Sequence, residues 1–325
     1  ASEMRFMNLD FETEYSHIIA DLICYYDSPS DLKKFSDNVI IKGDFAPSYI
    51  SVKDLKKFVP YIDSDQVLNF NSRFEGTLND FYLDDFDLTS DSGLEIKGDF
   101  EIEDLVDKKT PLKLYADIEY TEFTYVNLKE TFPSLIGQYL PTVVDNLGTI
   151  VFEGDLDFED KKLISKLVAQ TDLGGVVTSI ELGNLGNTED DISYVGELIL
   201  EDFDIGEFTQ DPRFERVSLR ADIEGKGFKI KTLGSSFSGD IYSLDFLNYT
   251  YRDIYAIGDF YANQFEGRIE IRDDNLNVDF SGLADLSSEL NNFDFKASVD
   301  FANLHELGFV KRDSVSVFNP LVFKT

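Results

Sequence analysis

The sequence predicts an all-β protein built as an elongated, curved, solenoid-like antiparallel sheet. Three observations carry that reading: strict alternation of apolar and charged residues, a glycine recurring inside the alternating runs, and few stretches that break the pattern. The clearest run is Thr149 to Phe158. Ile150, Phe152, Leu156 and Phe158 share one parity with Gly154, and Glu153, Asp155 and Asp157 take the other. Leu94, Ile96, Phe100 and Ile102 alternate with Glu95, Lys97, Asp99 and Glu101. Leu276, Val278 and Phe280 do so with Asn277 and Asp279, and Phe293, Phe295, Val299 and Phe301 continue the theme. A period of two sends successive side chains to opposite faces, so each strand offers one greasy face and one wet face.

The glycines sit inside runs that mix apolar and acidic or other polar residues, as in FEGTL, IKGDF, FEGDL, YVGEL, FSGDI, AIGDF and FEGRI. Glycine inside a strand marks a bend, a bulge or a close backbone approach. Its irregular recurrence reads as a degenerate structural repeat. About twenty strands stacked ~4.8 Å apart would extend on the order of 100 Å. No Pro-, Gly- or Ser-rich linker divides the chain, so residues 1–325 read as one continuous segment.

Three stretches read as short helices. Residues 11–26 place Ile18, Ile19 and Leu22 on one side of a helix. Ser51 caps a second over 51–59, which stops before Pro60. Residues 127–147 read as one or two more, interrupted by Pro133 and Pro141 and closed by Gly148.

Composition bounds the function. The chain has 325 residues with 63 Asp and Glu against 29 Lys and Arg, a formal charge of −34. Nucleic-acid phosphates and anionic membrane surfaces both require the opposite balance. The acidic face keeps a chain with 29 Phe and 16 Tyr in solution. Cys24 is alone, so there is no intrachain disulfide. No apolar run approaches the ~20 residues of a membrane span. No leader is visible at Ala1, and the opening residues read as a cut inside a longer chain.

The sequence offers no catalytic residues, and the reading is of a protein that is not an enzyme. Only His17 and His305 are present, too few for histidine catalysis or a zinc site, and no metal-binding residues are assigned. GSSFSG at 234–239 does not meet the nucleophile-elbow spacing, and EGKGFKI lacks the rest of a dinucleotide fingerprint. The acidic clusters at 84–87, 188–191 and 272–275 are candidates for calcium but lack EF-hand spacing, which leaves a calcium-stiffened spacer as one reading. No other cofactor is expected.

The greasy faces can be filled from within, as in a sandwich, or left as an open groove. Alternation alone leaves both open. Here the chain resembles a known family. YVGELILEDFDIGEF (194–208), VSLRADIEGKGF (217–228), YTYRDIYAIGDFYANQFEGRIEIRDDNLNVDFSGLADL (249–286) and FDFKASVDFANLHELGF (293–309) resemble the TamB family of the AsmA-like superfamily. SVKDLKKFVPYI (51–62) and FNSRFEGTLNDFYLDDFDL (70–88) resemble its repeat unit. The resemblance implies an open hydrophobic groove, the β-taco, in a periplasmic protein anchored in the inner membrane of a Gram-negative cell. It implies movement of phospholipid along the groove, or a scaffolding role in outer-membrane protein translocation and assembly. The implied partners are phospholipid and an Omp85-type, TamA-like outer-membrane barrel, met through parts of the family's chain not seen here. The groove lining it implies is Leu94, Ile96, Phe100, Ile102, Ile150, Phe152, Leu156, Phe158, Leu276, Val278, Phe280, Phe293, Phe295, Val299 and Phe301.

Overall fold

A computed structural model describes residues 2–56, 64–106, 110–133, 137, 139–228, 234–261, 264–285, 292–309, 317–318 and 321–324. The fold is all-β, with antiparallel strands in an open sheet and a few short helices. Two compact units, Ala1–Asp172 and Leu173–Thr325, divide the chain.

In the first unit the strands are β1 (Ser2–Glu12), β2 (His17–Tyr26), β3 (Ile40–Ser51), β4 (Val67–Gly76), β5 (Phe81–Ser90), β6 (Glu95–Glu103), β7 (Lys113–Thr124), β8 (Thr149–Glu159) and β9 (Lys162–Thr171). Each pairs antiparallel with the next in sequence, a simple meander. Its helices are α1 (Phe35–Asn38), α2 (Val52–Leu55) and α3 (Tyr125–Thr131), with 3-10 turns at Asp31–Lys34 and Thr142–Leu147. The second unit repeats the meander through β10 (Gly174–Gly183), β11 (Ser193–Asp204), β12 (Phe214–Lys226), β13 (Gly234–Phe246), β14 (Tyr249–Tyr261), β15 (Gln264–Asp273), β16 (Leu276–Asp285) and β17 (Asn292–Asn303). The short β18 (Val317–Phe318) and β19 (Leu321–Lys324) both pair with β17. Its one α-helix among the described residues is α4 (Ile205–Thr209).

The helix expected over residues 11–26 is absent; β1 ends at Glu12 and β2 begins at His17. Ile18, Ile19 and Ile23 are β-branched, which favours a pleated strand, and both edges of β2 are taken by β1 and β3. The turn between them is latched instead. The Thr13 and Ser16 hydroxyls donate to Asp54 Oδ2 at 2.7 and 2.8 Å, and Ser16 Oγ accepts from the Ser51 amide at 3.0 Å. The helix expected over 51–59 is the single turn α2, capped by Ser51, whose side chain accepts from the Lys53 amide; positions 57–59 lie outside the described residues. The stretch 127–147 gives α3 and the 3-10 turn, closed by Gly148 at φ +69°; positions 134–136 and 138 lie outside the described residues.

A repeat emerges that alternation did not reveal. β3, β7, β11 and β17 each end on a capping residue followed by a helical turn. The sequences at these junctions are Ser51-Val-Lys-Asp-Leu55, Thr124-Tyr-Val-Asn-Leu128, Asp204-Ile-Gly-Glu-Phe208 and Asn303-Leu-His-Glu-Leu307. The pattern is a cap, an apolar residue, any residue, an acid or amide, and an apolar residue, which is the capping-box spacing. Thr124 and Asn127 form the reciprocal box, while Asp204 Oδ1 accepts from the Glu207 amide at 2.8 Å and Asn303 Oδ1 from the Glu306 amide at 3.4 Å. The two apolar positions then fold back onto the sheet, as Val52, Leu55, Leu128, Leu304 and Leu307 do.

Bulges form a second recurring device. Asn8, Asp85 and Asp202 take positive φ (52°, 50° and 47°) where the register shifts. Each amide, released from the ladder, donates to a side chain on the next strand: Asp21 Oδ1 at 2.6 Å, Asp99 Oδ1 at 2.8 Å and Ser218 Oγ at 3.0 Å. The extra residue is absorbed and the apolar parity resumes beyond it. Interior glycines let strands approach where a side chain cannot fit. A Cβ on Gly98 would lie 2.2 Å from the Asp117 carbonyl oxygen, and one on Gly154 2.0 Å from that of Lys166. Both glycines pair with Ile118, one from each side.

Thr124→Ala removes the side-chain acceptor of the best-formed cap and is expected to cost about 1 kcal/mol. Chemical denaturation would show it as a lowered midpoint with unchanged slope.

Candidate functional site

The candidate site is the apolar face of the sheet, taken in each unit by itself. Register assembles it, because directly opposed residues lie on the same side. In the first unit one cross-strand row runs Phe74–Leu83–Phe100–Ala116–Leu156 and the next runs Phe81–Ile102–Leu114–Phe158. Leu88–Ile96–Thr121–Phe152 forms a third, and Phe123 pairs with Ile150. Leu94 lies in the turn just before β6. In the second unit Val278 pairs with Val299, Phe280 with Ala297 and Phe295 with Gly282. Leu276 pairs with Ala302. Phe293 pairs with Ala284, and its side chain lies outside the described residues.

Phe301 departs from the expectation. A register shift between Asn277 and Val278 inserts an extra residue in β17, so Phe301 pairs with Asn277 on the other face. Ala302, 4% exposed, takes the inward place in its stead. Uninterrupted alternation past Val299 was the assumption that failed.

Burial varies along the face: beside α1, at one set of strand ends, Cys24, Val39 and Ile41 are buried together with Leu22 and Phe74 packed against them. Near the capping helices it is closed: Val52, Leu68, Leu88, Leu94, Phe123, Leu128 and Ile150 form one buried cluster, with Ile96 and Phe152 packed against it. Leu94 is 0% exposed. Residues of the β7–β8 connection, Phe132, Leu140, Val144 and Leu147, also pack on this cluster. Hydroxyls tie α3 to the β5–β6 turn: Ser92 Oγ lies 3.0 Å from Thr131 Oγ1, which donates to Ser90 Oγ at 3.3 Å. Away from that end Phe100, Ile102, Leu156 and Phe158 are only half-buried. Tyr139 reaches Phe158 with ring centroids 5.1 Å apart. In the second unit Leu304 and Leu307 close the corresponding end over Tyr251, Ile254 and Ala302, and Val278, Phe280 and Phe295 remain half-buried.

Aromatic contacts follow the rows. Phe45 meets Phe70 and Phe74, Phe74 stacks on Phe81, Phe86 meets Phe100 edge-on, and Phe280 meets Phe295 at 5.1 Å. Several of these, such as Phe45, Phe70 and Phe86, escaped the alternation reading because a bulge flanks them. The signal that finds them is the partner strand, which the one-dimensional sequence does not supply.

The opposite face carries the charge. Ion pairs cross it at Arg73–Asp85 (2.5 Å), Arg220–Glu197 (2.6 Å) and Arg272–Asp279 (2.5 Å), all solvent-exposed and each worth little. Among the described residues no group of three or more His, Cys, Asp or Glu is arranged to hold a metal ion. The acidic clusters considered for calcium serve local bonds. Asp85 pairs with Arg73. Asp191 accepts from Lys226 and Thr188, which hold its carboxyl below the usual range. Asp273, 8% exposed, accepts from the Tyr249 hydroxyl and from the amides of Arg252 and Asn275. His17 and His305 sit beside Asp10 and Glu306.

Burial, then the bond to Asp273, raises the Tyr249 hydroxyl above its ordinary value, and burial raises Tyr194 and Tyr251. A raised value in the folded state means the folded form holds its proton longer. The stability these groups contribute is present below their ordinary titration range and is lost as pH rises through the raised one. Tyrosinate absorbance is therefore expected to show a late fraction that appears together with alkaline unfolding, and Tyr249→Phe should shrink it. Leu94→Ala should cost about 2–5 kcal/mol, as a truncation in a closed core does. Phe100→Ala, on the half-open part of the face, should cost measurably less by the same denaturation assay.

Among the described residues no helix is long and apolar enough to cross a membrane. Comparison with protein-family models, with curated proteins and with solved structures finds no match to this chain.

Proposed function

We propose that this chain is a non-enzymatic lipid-conducting segment, in which phospholipid acyl chains lie against the phenylalanine-rich face and head groups stay in solvent. One observation carries the reading. Within each unit the apolar face continues across many strands in register, yet between its buried clusters residues such as Phe100, Leu156, Phe280 and Phe295 stay half-buried, and among the described residues the strands belong to a single sheet. A face built to be a private core is covered along its length. A partly covered one gains from an apolar ligand at about 25 cal/mol per Å² removed from water. The acidic opposite face favours solution and leaves the apolar side as the place where an acyl chain gains most.

The resemblance of residues 194–309 to TamB supports placing such a segment in the periplasm, in a longer protein anchored in the inner membrane and working with an Omp85-type barrel. The same resemblance carries a second role, scaffolding of outer-membrane proteins, which a strand edge would serve by β-augmentation.

Lipid extraction and native mass spectrometry of purified protein should find phospholipid. Phe280→Asp should reduce the bound lipid while the far-ultraviolet strand signal persists. Lipid-free protein after gentle purification would overturn the proposal. Photocrosslinkers at Phe100 and Phe280 that capture barrel precursors and no lipid would favour the scaffold instead.

A further inference from the structure

The first unit holds a depression lined mostly by polar residues, with Phe70 and Ser48 also in its lining. It lies across β3, β4 and β5, with a volume of about 300 Å³, at the lower end of small-molecule pockets. Register brings its walls together: Tyr49 pairs with Asn69, Asn69 with Thr89, and Asn71 with Asp87. The bulge in β3 between Phe45 and Ser48 places Pro47 at its edge. Proline has no amide to give to the ladder, and bulges of this kind open a sheet locally.

The side chains have unused bonding capacity. Asn69, Asn71 and Thr89 make no side-chain hydrogen bond among the described residues. Asp87 has a cation only at 3.8 Å, the Lys97 ammonium, beyond hydrogen-bond length. Tyr49 is 38% exposed, and His17 packs edge-on against its ring with centroids 5.9 Å apart. His17 is itself fixed by Asp10, Nε2 to Oδ1 2.7 Å. The depression thus combines a positioned aromatic ring, two amides and a hydroxyl that both donate and accept, and a carboxylate that accepts.

That set selects a ligand. A pyranose ring has an apolar C–H face that stacks on tyrosine, and hydroxyls that donate and accept around its rim. Anions are disfavoured, because Asp87 lines the site, Glu95 pairs with Thr89 beside it, and the chain carries −34. An extended peptide has no free edge here, since β4 is paired on both sides. We propose that this depression binds a neutral saccharide, with Tyr49 against the ring face and Asp87, Asn71, Asn69 and Thr89 on its hydroxyls.

The test is an amide-resolved NMR titration of the full chain with cellobiose, maltose and N,N′-diacetylchitobiose, and with glucose 6-phosphate as the anionic comparison. At least one neutral disaccharide should shift Tyr49, Asn69, Asn71 and Thr89 saturably. Tyr49→Ala should weaken that binding by about tenfold or more, and Asn71→Ala should do the same in a protein whose remaining spectrum is unchanged. No saturable shift with any neutral sugar would overturn the proposal, as would binding retained in both variants or preferred binding of the phosphate.

Discussion

Parity across the strand pairs is the constraint on which everything else in this chain depends. A pleated strand exposes alternate residues on opposite faces, so a slip of one residue transfers a whole apolar set into water. Here each strand must match its neighbours on both sides. Phe100 pairs with Leu83 on one flank and Ala116 on the other, and Ala116 continues to Leu156. One misplaced residue would propagate through the meander. The αL bulge residues Asn8, Asp85 and Asp202 meet this constraint by absorbing an extra residue and bonding the freed amide to the next strand. The acidic residues of the outer face therefore serve the fold as well as solubility, which gives part of the large negative charge a structural role.

The ends of the strands obey a different requirement. A sheet face that is apolar to its margin leaves its last row bare, and a capped helical turn supplies the cover. Ser51, Thr124 and Asn303 each stop a strand and start a turn whose apolar positions return to the face, and Asp204 starts one whose Phe208 ring meets Phe203. The result is a graded surface, closed where Leu94 and Ile150 lie and half-open where Phe100, Leu156, Phe280 and Phe295 lie. That grading separates fully buried residues from half-buried ones within one alternating pattern.

The fold class and most inward positions were legible in the sequence because period two is a local property. Ile150, Phe152, Leu156 and Phe158 need only their own strand to declare a face. The capping repeat, a shared spacing from Ser51 to Leu55 and its three counterparts, stands out only where the strand ends are known, because each cap alone is a weak local signal. The error over residues 11–26 arose because Ile18, Ile19 and Leu22 suit a helix stripe as well as a strand, and the decision rested with the partners β1 and β3.

By itself the sequence determined the alternation, its acidic and apolar sides, and the residue types able to turn or bend a strand. Only the tertiary structure decided which partner each strand meets, and through that where parity slips. Phe301 faces away from Phe280 because β17 gains a residue opposite Asn277, a fact of pairing invisible in either strand alone. The depression across β3, β4 and β5 has the same origin: Tyr49, Asn71 and Asp87 are apart in the chain, and register sets them side by side. Periodicity is written in one strand, but contact between strands depends on two, and the energy that fixes it is the burial of the shared face.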